Sequence, residues 1–155
     1  MQSSTSTASR SGLFFKAAAI AAGVAVVRFF IKGWLAPLGV PTVVGSFLAS
    51  ITMVLIVAMI LIFLREGRKA DGRYWTAAAW FAGLAIWCQA LIISGILLTE
   101  QTGIDTYYSG PWEMIHERFP TPTAHAIGHT QGMIVTIIVG LVLGAVIFAL
   151  ARRKR

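Results

Sequence analysis

A chain of 155 residues that is 57% hydrophobic and 12% charged has too little polar surface for a soluble domain, in which about 25% of residues are charged. The net charge of +7 does not point to nucleic acid, because the basic residues stand at the ends of apolar runs, where lipid headgroups receive them. Cys88 is the single cysteine, so neither an internal disulfide nor CxxC redox chemistry is available to the chain, and it reads as a small core residue.

A membrane-crossing helix needs about 20 apolar residues to pass a hydrocarbon core of roughly 30 Å. The chain has room for four such spans, and the fold class expected is an all-α integral membrane protein with a single four-helix domain. Residues 1–12, rich in Ser and Thr, are expected to form a disordered tail. The first span is expected over 13–36. Its centre, Ala17 to Val27, has only the length of a signal-peptide core, but Arg28 follows directly and no convincing A-x-A site precedes it. A signal-anchor helix is the reading that fits. Pro37 and Pro41 then bracket a tight turn.

The second span, 42–64, carries no charge, and a basic connection from Arg65 to Arg73 leads to the third, 74–98. The segment 99–123 holds four of the six acidic residues, Glu100, Asp105, Glu113 and Glu117. It is expected to contain a short amphipathic helix with Trp112, Ile115 and Phe119 toward the lipid, ended by Pro120 and Pro122. Thr121 or Thr123 is suited to cap the fourth span, 124–151, which runs into the basic tail 152–155.

Orientation follows from the charges. Arg10, Lys16, Arg65, Arg68, Lys69, Arg73 and the last four residues place ten of the thirteen basic residues on one side. That side is expected to be cytoplasmic, which puts both termini inside and makes the chain a multi-pass protein of the inner (plasma) membrane. Trp34, Tyr107, Tyr108 and Trp112 would form the outer aromatic belt, and Tyr74 and Trp75 the inner one.

In lipid, helices associate where small residues let backbones approach. Gly128, Gly132, Thr136, Gly140 and Gly144 recur every four residues along the fourth span. The plain reading is packing within the bundle. The alternative is a seam to a second copy or to a partner subunit of a larger membrane complex.

The chemistry-bearing residues are few. His116, His125 and His129 fall in one stretch with Glu113. His125 and His129 share a helix face one turn apart, and Glu113 and His116 form an E-x-x-H pair, so the four could hold zinc or copper. Haem is a further alternative, although bis-histidine ligation takes ligands from two helices and would need a second copy. Packing or hydrogen bonding at the membrane boundary is the plain reading of these histidines. Arg28 lies within the first span, where an arginine is costly unless paired or wetted. Glu100, Glu117, a lipid phosphate or a bound ligand are its candidate partners, and Arg28, His129 and Gln131 could together face a quinone or lipid headgroup.

No acidic residue falls inside the four expected spans, which argues against a proton-driven transporter. No phosphate loop or nucleophile elbow is present. The function expected is a small non-catalytic membrane subunit that packs with copies of itself or with partners, in a complex of the energy-transducing kind. A metal- or haem-binding protein or enzyme is the first alternative, and a small channel or transporter the second.

Overall fold

The computed structural model describes residues 4–41, 44–45, 50–104, 106, 108 and 121–154, with backbone alone for 4–11 and 122. Every regular element among the described residues is helical. They are α1 (Ser4–Leu35), a 3₁₀ turn (Ala36–Leu38), α2 (Ile51–Gly67), α3 (Tyr74–Thr102) and α4 (Pro122–Arg153). Three stretches, Gly12–Leu38, Tyr74–Thr102 and Thr123–Arg153, are long and apolar enough to cross a membrane. The surface agrees with them: Ile134, Val135, Ile138, Val142 and Val146 of α4 are each more than half exposed. An apolar surface of that kind belongs in lipid.

The helix ends follow local chemistry. Thr121 caps α4, its hydroxyl accepting from the Ala124 N–H, with Pro122 in the first turn. Gly103 ends α3 in the left-handed region at φ 66°, and Gly39 does the same for the 3₁₀ turn at φ 71°. The turn at Pro37–Pro41 is therefore present.

Three expectations need correction. α1 is helical from Ser4, inside the segment expected to be irregular, because extending a helix already nucleated costs little. The second span was expected to run unbroken over 42–64, but helix α2 begins only at Ile51. Ser50 is extended, at φ −93° and ψ 111°, and its hydroxyl accepts from the Met53 N–H at 3.3 Å, so the serine acts as a cap inside the apolar run. The 17 residues of α2 reach about 26 Å at 1.5 Å per residue, short of a full crossing. The third lies at the other end of α2, which continues past the expected limit of 64 to Gly67 and so carries Glu66 in its last turn, 5% exposed and paired with Lys69 at 2.7 Å. Residues 42, 43 and 46–49, and the expected amphipathic helix around 112–119, lie outside the described residues.

The helices meet through small side chains on one face and rings on the other. Ala17, Ala21 and Ala25 make a smooth buried row on α1. Phe63 of α2 and Phe81 of α3, both buried, lie against α4 where Gly140 and Gly144 leave room for their rings. Gly67 takes the backbone of Phe148 in the same way. The glycine row on α4 is thus an internal seam at Gly140 and Gly144. It does not continue toward the start of the helix. A four-residue repeat overshoots a 3.6-residue turn by about 40°, so Gly132 is carried about 80° round from Gly140. Gly132 accordingly meets open space, Thr136 is exposed, and Gly128 is half-buried.

Candidate functional site

The end of the bundle opposite the basic tail gathers polar groups from three helices and one loop. Arg28 sits on α1 one turn beyond Ala25, on the same buried row, so its side chain is directed into the bundle rather than out to lipid. Its guanidinium lies over the ring of Tyr108, 5.1 Å from the centroid. A cation held over an aromatic face is attracted by the ring quadrupole, on the order of 1–2 kcal/mol when desolvated.

Tyr108 was expected in the outer aromatic belt. It is instead 5% exposed, because the chain after Gly103 folds back and inserts the ring between α1 and α3. Three contacts hold it there. The hydroxyl donates to the Ala25 carbonyl at 3.2 Å, and the backbone N–H donates to Thr106 Oγ1 at 3.0 Å. Gly95 accommodates the ring, since a Cβ at that position would overlap it. Thr106 in turn shares a hydrogen bond of 2.7 Å with Thr99, which fixes the loop to α3. Burial pushes the Tyr108 phenol up to about 12, against the opposing effect of Arg28, so the hydroxyl remains a donor at neutral pH.

α4 supplies the histidines. His125 is buried and His129 half-buried, with ring centroids 4.9 Å apart, as a four-residue spacing on a helix requires. Glu100, at the end of α3, is within electrostatic reach of His125, and Arg28 is within reach of His129. Two contact pairs, Arg28 with Tyr108 and His125 with His129, therefore share this end of the bundle, with Glu100 in electrostatic reach of the second.

Not every expected site residue joins them. Gln131 is exposed, about 200° round α4 from His129, and is not brought to Arg28. Glu113 and His116 lie outside the described residues. Among the described residues no three His, Cys, Asp or Glu side chains stand close enough to hold a metal ion. Sequence reasoning passed over Tyr108, Thr99, Thr106 and Gly95 as site residues. The one signal for them was a glycine, Gly95, interrupting a Leu/Ile-rich run. Comparison with protein-family models, curated proteins and solved structures gives no match, so the function is argued from these residues alone.

What this end of the bundle can do is limited by its donors. A guanidinium, two imidazoles and a lysine one turn further out (Lys32, half-buried) offer hydrogen bonds and positive charge to an oxygen-rich group. No nucleophile with an adjacent base is present among them.

Proposed function

We propose that the chain is a small non-catalytic membrane subunit, crossing the bilayer four times with both termini cytoplasmic, that docks a lipid or quinone headgroup at its outer end. The observation that supports the docking role is the seating of Arg28 over Tyr108, within electrostatic reach of His129, at the end of the bundle opposite the basic tail. A phosphate or a quinone carbonyl supplies the acceptor oxygens that this group of donors suits. The long apolar face of α4 leaves room for a partner subunit or a second copy.

The test is native mass spectrometry of protein extracted in mild detergent. Wild type should retain a lipid or quinone and, where a complex exists, its companion subunits. Arg28→Gln should release the small molecule while leaving the helical content intact. Equal retention by both proteins would refute the docking role.

The second reading, a metal site, has the His125–His129 pair in its favour. Elemental analysis of purified protein decides it. About one zinc or copper per chain, lost in the double change His125→Ala and His129→Ala, would replace the headgroup reading.

A further inference from the structure

Halfway along the bundle, α2 begins beside the midpoints of two other helices. Ile51, Thr52 and Leu55 of its first turns face Ala85, Cys88, Gln89 and Ile92 of α3 and Met133 and Thr136 of α4 around a cavity of about 40 Å³ open to a molecule the size of water. Cys88 is the central residue of Tyr74–Thr102, and Thr136 lies within two residues of the middle of Pro122–Arg153. The cavity is therefore as deep in the membrane as the bundle allows.

Its lining is mostly apolar, and among its polar members Gln89 decides the chemistry. The side-chain nitrogen of Gln89 is buried and has no hydrogen-bond partner among the described residues. Hydrocarbon offers an amide nothing, so a buried donor at this depth must be met from inside the cavity. Two acceptors face the same space. The Thr136 hydroxyl donates to the Gly132 carbonyl at 2.9 Å, which leaves its lone pairs free to accept, and Thr52 lines the same cavity. The donor and the acceptors line one cavity but make no direct bond to each other, which is the arrangement a bridging molecule completes.

We infer that this cavity is a water-binding site, in which water accepts from Gln89 and donates to Thr136 or Thr52. Size and chemistry agree. A water needs about 10–15 Å³ of such space and two or more polar partners, and the cavity supplies both for one or two molecules. Cys88, the single cysteine, lines the same cavity.

The experiment uses the full chain in lipid nanodiscs. Water-edited solid-state NMR of protein carrying ¹⁵N-labelled glutamine measures magnetisation transfer from water to side-chain amides, and the signal missing from Gln89→Leu identifies the Gln89 peak. Transfer to that peak is expected. Thr136→Val, at an exposed position of α4, is the second variant should Gln89→Leu fail to fold, and it should weaken transfer to the Gln89 amide. Absence of transfer to the Gln89 amide would overturn the inference.

Discussion

Replacing Gly144 by Ala places a methyl group where the ring of Phe63 already lies, and the same change at Gly140 meets Phe81. Neither ring has an easy retreat. Phe63 is fully buried, with Tyr74 and Phe81 at ring-centroid distances of 5.7 and 6.1 Å, and Phe81 is 1% exposed. The helices must move apart or the rings must leave their rotamers, and overpacking of this kind costs about 1–3 kcal/mol. Gly132→Ala is the internal control. It adds the same methyl on the same helix but meets nothing within 4 Å, and alanine favours a helix by up to about 1 kcal/mol over glycine. Thermal unfolding in detergent, followed by size-exclusion chromatography, should show Gly144→Ala and Gly140→Ala about 2–12 °C below wild type, taking about 2–4 °C per kcal/mol at this chain length. Gly132→Ala should match or exceed wild type. Adding Phe63→Leu to Gly144→Ala should recover part of the loss, a coupling that only direct contact produces. If Gly144→Ala and Gly132→Ala behave alike, or if Gly144→Ala alters assembly without loss of stability, the internal seam is wrong.

Three further outcomes are expected. Gly95→Val should displace Tyr108 and break its bond to Ala25; the loss should appear as a large rise in water accessibility of the tyrosine by fluorescence quenching, and an unchanged signal would contradict the seating described here. Lys69→Met removes the 2.7 Å partner of a buried carboxylate and should lower stability by about 1–3 kcal/mol, between the values for exposed and buried pairs, with Lys69→Arg losing less. A cytoplasm-dependent reporter should be active when fused after Arg155 or placed between Arg68 and Asp71, and silent near Thr106; activity at Thr106 would rule out the four-span topology.

How much of this was legible beforehand varies by residue. The Thr121 cap, the Pro37–Pro41 turn and the burial of Cys88 were readable, because each depends on residues adjacent in the chain or on side-chain character alone. Nothing in the sequence marked Ser50 as a cap. A serine that interrupts a helix and one that rides along it look the same until the backbone dihedrals are known. Arg28 and His129 were both marked as unusual, but nothing local places Tyr108, eighty residues on from Arg28, beneath the guanidinium.

The sequence by itself determined the class. Apolar runs and the charges that bound them act through length and solvation, which are additive along a chain, so a helical membrane protein follows from composition. Only the tertiary structure decided which small residues touch. Gly132 and Gly144 are equivalent in the four-residue pattern, yet one faces open space and the other the ring of Phe63, because the repeat and the helix turn differ by 0.4 residue and neighbouring helices cover only one side. It likewise decided that Tyr108 turns inward and that α2 starts at mid-bundle, since both depend on the space that α1, α3 and α4 leave between them.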